Sequence, residues 1–509
     1  MTEPADEQSI VAEGVPPRPI LYQINTRVWL TELSTRLGRP VTLDDIPDEQ
    51  LDGLKRLGFD WIYLLGVWQT GAAGRKISRS NPEWRAEYEA LLSDLKEDDI
   101  CGSCFAVTGY TVHETLGGDE ALGRLRKRLH KRGMLVMLDF VPNHTAPDHA
   151  WTHEHPDFYI GGTEADLERE PQNYMATDTP DGRRIFAYGR DPYFAGWPDT
   201  LQLNYGNSAL QEAMHGELLK AAKLCDGLRC DMAMLVLPEV FGRTWGIESE
   251  PYWPEAMRRV REAKPGFVFM AEVYWDMEWT LQQQGFDFTY DKRLYDRLRN
   301  RHARPVREHF WADADYQNKS ARFLENHDEP RAAATFADGI HQAAALLTYL
   351  CPGLRFFHHG QLGGWAQKIP IHLCRGPEQP NDSTIQEFYR KLLDFLSLPV
   401  VRNGSWQLLD CTAACDGNPT AENMIAFAWQ ASDGARSLVV VNYASQPGQC
   451  YVRLPFPDLG GQQLRLEGRL GTPGYEREGS SLLVEGLYVD LPAWGYHVFE
   501  ITFIIERRK

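Results

Sequence analysis

The sequence predicts an α/β fold, a (β/α)₈ barrel with a segment inserted after its third strand and an antiparallel β-sandwich at the C-terminal end. Three observations predict it. From about residue 21 to residue 400, short β-branched or aromatic runs alternate with amphipathic stretches, which is typical of βα units and a parallel sheet. Between the third and fourth runs the pattern becomes irregular and rich in proline, glycine and aromatic residues. After residue 401 short alternating strands remain, separated by turn residues, as in a sandwich.

Eight of these runs are predicted to be the barrel strands. In chain order they cover residues 21–25, 61–65, 135–139, 227–231, 267–272, 286–288, 321–325 and 354–358. The stretch 119–131, with its basic face and a following glycine, is typical of the helices between them. Because eight units over roughly 380 residues exceed the ~250 residues of a plain barrel, an insertion is expected.

These patterns divide the chain into four segments. We expect residues 1–18 to be disordered, 19–400 to form the barrel, 145–205 to form an inserted domain, and 401–509 to form the β-sandwich. Within the last segment, the predicted strands include residues 424–429, 437–443, 450–454 and 495–500.

Charge and length exclude several classes of function. The chain has 509 residues, too many for a small binding module, and its 53 basic and 71 acidic residues give a net charge of −18. That surplus repels phosphate backbones and anionic lipid, so neither nucleic acid nor a membrane is an expected partner. No apolar run approaches the ~20 residues of a membrane span. An uncharged substrate would be indifferent to this charge.

The ends and the cysteines predict the compartment. The acidic amino terminus has no apolar core behind it, so it does not resemble a secretory leader. Nine cysteines, an odd number in a long chain, fit reduced thiols, and we expect a cytoplasmic protein. The pairs Cys101/Cys104 and Cys411/Cys415 lack a second pair at zinc-site spacing, which favours structural or incidental thiols over a metal or redox site.

Polar clusters follow four of the predicted strands, at the third, fourth, fifth and seventh positions. They are the segments 139–144, 227–231, 271–273 and 325–328. A single carboxylate after a strand is more often a helix cap than a catalytic group. Four such clusters in order at the carboxyl ends of barrel strands, where barrel enzymes carry their active sites, predict an active site.

Taken together, these segments resemble the α-amylase family of retaining glycoside hydrolases and transglycosidases, from about residue 21 onward. The resemblance implies that Asp231 is the nucleophile, that Glu272 is the acid/base, and that Asp328 is the third carboxylate, which binds sugar hydroxyls. Retaining cleavage needs its two carboxyl groups roughly 5–5.5 Å apart. Glu272 must hold its proton near neutral pH, which a partly desolvated site favours.

The resemblance also implies residues that bind substrate. Arg229 lies two residues before Asp231, on the same face of the strand, and a guanidinium there keeps the nucleophile ionised. His144 and His327 match the histidines that hydrogen-bond the sugar. Phe105 matches the aromatic platform on which that sugar stacks, with the loss of a hydroxyl where many members have Tyr.

Some positions depart from the pattern of starch-degrading members. The Lys-His pair that follows the nucleophile in many amylases is Met234 and Leu235 here. Arg331 is similar to the arginine with which exo-acting α-glucosidases bind a terminal glucose, but the aspartate that accompanies it there is replaced by Ala106.

The sequence leaves undecided which residues line the acceptor side and whether there is a metal site. Tyr274 and Trp275, just after Glu272, either line the acceptor side or pack the rim. The resemblance suggests Asn143 and Asp199 as ligands of a structural calcium ion, yet calcium takes six to eight oxygens, so two candidates do not make a site. The chemistry itself requires no cofactor.

The resulting expectation is a retaining glycosidase acting on α-glucosidic, chiefly α-1,4, bonds of malto-oligosaccharides or glycogen-like glucans. An α-glucan transglycosidase and an exo-acting α-glucosidase are the alternatives on the same site, because hydrolysis and transfer differ in what accepts the sugar. A remote alternative is a non-catalytic scaffold, which would be expected to have lost a carboxylate. The sequence does not predict an oligomeric state.

Overall fold

Eight parallel strands close into a barrel in a computed structural model that describes residues 16–179, 182–337 and 339–504. The strands are β1 (Ile20–Asn25), β2 (Trp61–Leu65), β3 (Leu135–Phe140), β4 (Gly227–Cys230), β5 (Val268–Ala271), β6 (Phe288–Tyr290), β7 (Ser320–Phe323) and β8 (Leu354–His358). Each strand neighbours the next in sequence, and β8 returns to β1. The predicted fold class is confirmed, and all eight predicted strands are present.

The chain divides into two compact units. The first comprises residues 21–290 and 368–378, and the second comprises residues 16–20, 291–367 and 379–504 of the described chain. The predicted disordered segment 1–18 lies largely outside the described residues, and the other predicted domain bounds stay predictions.

Helices of the first unit follow its strands or lie in the excursions between them. They are Thr26–Leu37, Asp48–Arg56, Ala72–Ser80, Pro82–Leu91, Gly118–His130, Trp151–Glu154, Glu164–Arg169, Ser208–Leu224, Pro238–Trp245, Trp253–Ala263 and Glu278–Gln283. The helix predicted at 119–131 begins after Gly117, which has φ 100° and adopts the left-handed conformation that glycine allows.

Two excursions between barrel strands lie in the first unit. The one after β3, expected from the sequence, contains the antiparallel pairs His144–Thr145 with Leu201–Gln202 and Tyr174–Thr179 with Gly182–Ala187. The other, between β2 and β3, pairs Trp68–Thr70 with Val107–Val112 and was not predicted.

In the part of the second unit that the structure describes, we find β7, β8, eight helices and two antiparallel sheets. Its helices are Lys292–Arg299, Ala303–His309, Ala314–Asn318, Ala332–Thr335, Ile340–Tyr349, Ser383–Leu396, Pro399–Asn403 and Gly479–Val484. Its further strands are β9 (Ser405–Leu409), β10 (Cys411–Ala413), β11 (Met424–Gln430), β12 (Arg436–Asn442), β13 (Gly448–Val452), β14 (Gln463–Gly468), β15 (Tyr475–Glu478), β16 (Leu487–Leu491) and β17 (Tyr496–Phe503).

These nine strands form a six-stranded sheet in the order β9-β11-β12-β17-β14-β15 and a three-stranded sheet in the order β10-β13-β16. Alternate side chains of both sheets are buried in one apolar core, for example Ala426, Val440 and Phe499 from the larger sheet with Val452 and Val489 from the smaller. This is the packing expected of a sandwich. Across the described part of the chain, we find no helix with the length and hydropathy of a membrane span.

Candidate active site

Arg229 is the centre of the site in the first unit. It lies on β4 and is completely buried, and its guanidinium reaches two carboxylates. Nη1 donates to Asp231 Oδ1 at 2.7 Å, and Nη2 forms an ion pair with Glu272 Oε2 at 2.8 Å. One planar group therefore holds the two predicted catalytic carboxylates on either side of itself.

The charge of Arg229 is secured by this arrangement. Burial lowers the pKa of a guanidinium, but the negative charges of Glu272 and Asp231 outweigh it, so the pKa of Arg229 lies well above its usual value. The ring of Tyr290 lies 5.7 Å from the guanidinium carbon, and its hydroxyl oxygen accepts a hydrogen bond from Nε at 3.3 Å. Burying two carboxylates is costly unless a nearby positive charge pairs with them, and Arg229 supplies that charge.

Glu272 follows β5 directly, and three groups hold its carboxylate. Besides Arg229, the backbone N–H of Met232 donates to Oε2 at 2.8 Å and the Tyr274 hydroxyl donates to Oε1 at 3.0 Å. Met232 adopts the left-handed conformation, with φ 42°. Such a residue costs about 1–3 kcal/mol and persists where the surroundings fix it, which is common at functional sites.

The sequence left it undecided whether Tyr274 and Trp275 line the acceptor side or pack the rim. The Tyr274 hydroxyl contacts Glu272, the acid/base candidate. Trp275 packs edge-on against Tyr193 of the inserted segment, with ring centroids 4.9 Å apart. Tyr193 is 57% exposed and its neighbour Phe194 is 73% exposed. An exposed aromatic surface therefore lies next to the residues that follow Glu272.

Asp139, near the end of β3, contacts both Arg229 and the region of β2. Its Oδ1 accepts from the Tyr63 hydroxyl at 2.5 Å and its Oδ2 from the Gly66 N–H at 2.9 Å. The same Oδ1 lies 3.8 Å from Arg229 Nη1. Sequence reasoning placed Asp139 in a polar cluster but gave it no role; its position at a strand end was the signal.

Phe105 and His144 lie in the same unit and are buried. The Phe105 ring lies 5.2 Å from the guanidinium carbon of Arg229, so one of its contacts is with the cation. Burial lowers the pKa of His144 to about 4, which leaves the ring neutral near pH 7, able both to donate and to accept a hydrogen bond. Their roles toward a sugar stay predictions.

Met234 and Leu235 lie in the short turn that follows Asp231, and both are buried. Where many amylases have a Lys-His pair, this chain thus has two buried apolar side chains and no polar group.

The second unit holds the other predicted site residues, after β7. His327 Nε2 lies 2.8 Å from Asp328 Oδ2, and the Asp328 side chain is 40% exposed. Arg331 is buried, with its Nη1 3.0 Å from Glu325 Oε1 and its Nη2 donating to the His359 carbonyl at 2.8 Å. This guanidinium is committed to neighbouring residues; its predicted contact with a terminal glucose stays a prediction.

Asn143, which the resemblance suggests as a calcium ligand, is hydrogen-bonded to another side chain. Asn143 Oδ1 accepts from Gln202 Nε2 at 3.0 Å, and Asn143 Nδ2 donates to Gln202 Oε1 at 3.1 Å, so the amide is paired with another side chain. Within residues 16–179, 182–337 and 339–504, no three His, Cys, Asp or Glu side chains come together as metal ligands.

Comparison with known proteins shows which family this chain matches. The family model described as alpha amylase, catalytic domain, matches residues 43–391. Alpha-amylase 3 of Dictyoglomus thermophilum is 23% identical over 295 residues, which cover 53% of this chain and 55% of that protein. Alpha-amylase MalA of Haloarcula japonica is 22% identical over 437 residues, covering 84% and 56%. The chain thus spans about half the length of these curated relatives.

A similar fold occurs in solved structures. The crystal structure of a noncanonic maltogenic alpha-amylase, AmyB of Thermotoga neapolitana, matches with a TM-score of 0.67 and 18% identity, over 96% of this chain and 99% of that one. At this identity the likeness concerns the fold.

Proposed function

Because the chain belongs to the alpha-amylase family, we propose that it is a retaining glycoside hydrolase that cleaves α-1,4-glucosidic bonds in malto-oligosaccharides or glycogen-like glucans. The observation that carries the proposal is the single guanidinium of Arg229 between Asp231 and Glu272, 2.7 and 2.8 Å from their oxygens. Retaining hydrolysis needs two carboxyl groups close together, about 5–5.5 Å apart, and one shared cation holds two carboxylates near each other.

In the proposed reaction, Asp231 attacks the anomeric carbon while Glu272 gives its proton to the oxygen of the departing sugar. This forms a covalent glycosyl-enzyme. Water then attacks the same carbon, Glu272 takes its proton, and Asp231 is released. Before the attack, Arg229 favours the ionised, nucleophilic form of Asp231, because a carboxylate hydrogen-bonded to a guanidinium is disfavoured in its protonated form.

The hydrogen bonds on Glu272 suggest how it can serve as the base in the second step. The Met232 N–H and the Tyr274 hydroxyl are both donors to its carboxylate. They stabilise the ionised form left after proton transfer to the leaving oxygen. Asp328 and His327, which follow β7, are proposed to bind sugar hydroxyls; the support for them is the family motif and the partly exposed Asp328 side chain.

The first test is the substitution Asp231→Asn, which keeps the shape of the side chain and removes the nucleophilic charge. We expect release of reducing sugar from maltoheptaose to fall by about 10⁴-fold or more, since removal of a nucleophile abolishes its covalent route. Asp416→Asn, the same change at an exposed aspartate of the second unit, is the control and should leave the rate unchanged. Full activity of Asp231→Asn would exclude the proposed mechanism.

The products of the unmodified protein separate the alternative reactions. With maltotriose, longer oligosaccharides indicate transfer to a sugar acceptor, and glucose alone indicates exo-hydrolysis. The exposed aromatic rings of Tyr193 and Phe194 beside Trp275 favour binding of a sugar on the acceptor side, because pyranose faces stack on aromatic planes. Transfer is therefore the second candidate activity.

The proposed partner is an uncharged α-glucan, and the proposed compartment is the cytoplasm. Support for a reducing compartment comes from the nine cysteines, each of which is a free thiol.

A further inference from the structure

Two cysteines far apart in sequence lie together in the first unit, outside the catalytic centre. Residues 99–101 run antiparallel to residues 372–374: the Cys101 N–H donates to the His372 carbonyl, and the Cys374 N–H donates to the Asp99 carbonyl, both at 2.9 Å. Cys101 thus faces His372, and Cys374 lies two residues further along the facing segment. Side chains in this diagonal relation share one side of the pairing.

A cation holds the first of these sulfurs. Arg27 Nη1 lies 3.2 Å from Cys101 Sγ. The same guanidinium donates to the Gly102 carbonyl at 2.9 Å and to Thr70 Oγ1 at 3.2 Å, so its position is fixed independently of the sulfur. A guanidinium beside a thiol stabilises the thiolate, which is the nucleophilic form.

Each of the two thiols also contacts a backbone carbonyl: Cys101 Sγ lies 3.2 Å from the His372 oxygen and Cys374 Sγ lies 3.4 Å from the Asp98 oxygen. The neighbouring Cys374 side chain and the charge of Arg27 outweigh burial and lower the pKa of Cys101 to about 6. The neighbouring Cys101 side chain and burial raise the pKa of Cys374. Both side chains are half-buried, so a small reagent has access to them.

The second unit contains a matched pair without these features. Cys411 on β10 and Cys450 on β13 are also diagonal neighbours, because Cys411 faces Val452 and Cys450 faces Ala413. There the contact with Cys450 and burial raise the pKa of Cys411, and Cys450 is fully buried. Cys104, the other half of the CxxC motif, is buried too, and burial raises its pKa.

We propose that Cys101 is a modification site for hydroperoxides and that Cys374 completes a disulfide with it. The Cys101 thiolate attacks one peroxide oxygen, the O–O bond breaks, and hydroxide leaves, which gives a sulfenic acid at Cys101. The Cys374 sulfur then attacks the Cys101 sulfur, the S–O bond breaks, and the hydroxyl leaves as water with the Cys374 proton. Two electrons and two thiol protons reduce one hydrogen peroxide to two waters.

This bond would act on the loop that carries Phe105. Diagonal neighbours have Cα atoms about 7–8 Å apart, whereas a disulfide needs about 4.4–6.8 Å. Because backbone hydrogen bonds already join the segments 99–101 and 372–374, the disulfide requires the backbone at Cys101 and Cys374 to shift along the pairing. Gly102 follows at once, with φ 86° and its Cα facing the backbone of Arg75, so the movement is passed into the loop whose Phe105 ring lies against Arg229.

The experiment treats the full chain with one equivalent of hydrogen peroxide, blocks free thiols with iodoacetamide, and identifies linked peptides by mass spectrometry. We expect a Cys101–Cys374 peptide that dithiothreitol removes, formed about tenfold or more faster than any Cys411–Cys450 peptide. In the variant Cys374→Ser, Cys101 should instead be labelled by dimedone as a sulfenic acid. Equal rates for the two pairs, or a Cys101–Cys104 bond, would overturn the proposal.

A second measurement does not depend on oxidation. The rate of Cys101 alkylation by iodoacetamide should rise with pH through a midpoint near 6, and Arg27→Gln should move that midpoint upward, because the cation is lost. A midpoint that does not move in Arg27→Gln contradicts the role given to Arg27, whereas Cys411→Ser is the control and should leave the Cys101 profile unchanged.

Discussion

At the scale of single residues, Glu325 and Arg331 form a buried pair of ionisable side chains that the proposed reaction does not use. Both side chains are almost fully buried, and Glu325 Oε2 also accepts from the Ala332 N–H at 2.6 Å. Burial raises the pKa of Glu325 to about 7, and neither Arg331 nor the backbone donor compensates fully. A carboxylate sequestered in this way makes stability depend on pH.

The sign of that dependence follows from the raised pKa of Glu325. The folded protein binds a proton more tightly than the unfolded chain, so the contribution to stability is complete below about pH 4.5 and is lost as pH rises through about 7. In Glu325→Gln this loss is absent. Relative to the unmodified protein, we expect the variant to gain on the order of 3 kcal/mol between about pH 4.5 and pH 7.5.

Urea denaturation at several pH values measures this difference. Glu485→Gln, at an exposed glutamate of the same unit, is the control and should follow the unmodified protein across the range. Parallel stability curves for Glu325→Gln and the unmodified protein would show that Glu325 does not titrate as proposed.

At the scale of elements, the barrel strands were predictable because most are short runs rich in β-branched or aromatic residues and four of them are followed by polar clusters. The predicted strand at 286–288 lies two residues too early. Asp287 belongs to the preceding turn, where its carboxylate accepts from the Phe269 N–H at 2.7 Å and pairs with Arg261 at 2.9 Å. A local run cannot reveal a partner twenty residues away, which is why the boundary was misplaced.

The excursion between β2 and β3 was missed for a similar reason. Its two strands, Trp68–Thr70 and Val107–Val112, are separated by two helices and pair with irregular register. A three-residue strand carries too little alternation to be predicted from its own sequence. The excursion after β3 was found through its many prolines and glycines.

Close packing of the inserted segment against His144 gives a test at this scale. Gly189 donates its N–H to Thr200 Oγ1 at 3.2 Å, and a Cβ on Gly189 would lie 2.7 Å from that oxygen and 2.9 Å from His144 Cβ. Gly189→Ala must therefore displace His144 or the segment. We expect a loss of about 1–3 kcal/mol of stability, as for other overpacked sites, and a higher KM for maltoheptaose.

The control for Gly189→Ala is Gly216→Ala in the helix Ser208–Leu224, where a Cβ meets open space. It should raise stability by up to about 1 kcal/mol, because alanine is the better helix former. Thermal unfolding and initial rates measure both variants. An unchanged KM and melting temperature in Gly189→Ala would mean that the inserted segment does not position His144.

At the scale of the whole molecule, the residues that carry the chemistry were predictable from motif spacing, and their supports were not. Arg229 lies on β4, and Asp231 comes two residues later, directly after the strand, so their contact follows from the alternation of side chains. Glu272, the other carboxylate that Arg229 contacts, directly follows the neighbouring strand β5. By contrast, Asp139 accepts hydrogen bonds from Tyr63 on the adjacent strand β2 and from Gly66, which follows it, and neither contact was predicted. The αL backbone of Met232, which directs its N–H to Glu272, also leaves no sequence signal.

Both units also share one response to acid. Burial lowers the pKa to about 4 for His144 and His149 in the first unit and for His341 in the second. Each ring is neutral in the folded protein at pH 5, whereas an unfolded histidine, with a pKa of about 6.5, is charged. Stability is therefore complete above about pH 6.5 and falls as the pH drops toward 4, by about 1.4 kcal/mol per pH unit for each histidine.

Glu325 opposes this trend in the same range, but it is one group against three, so we expect the free energy of unfolding to fall on acidification from pH 6.5 to pH 5. Substitution His341→Gln, which retains a partner for the Tyr389 hydroxyl now 2.7 Å from Nε2, should flatten the slope by one proton. His155→Gln, at an exposed ring, should leave the slope as it is. Because the slope counts protons taken up on unfolding, an identical slope in His341→Gln would mean that this ring is charged in the folded protein.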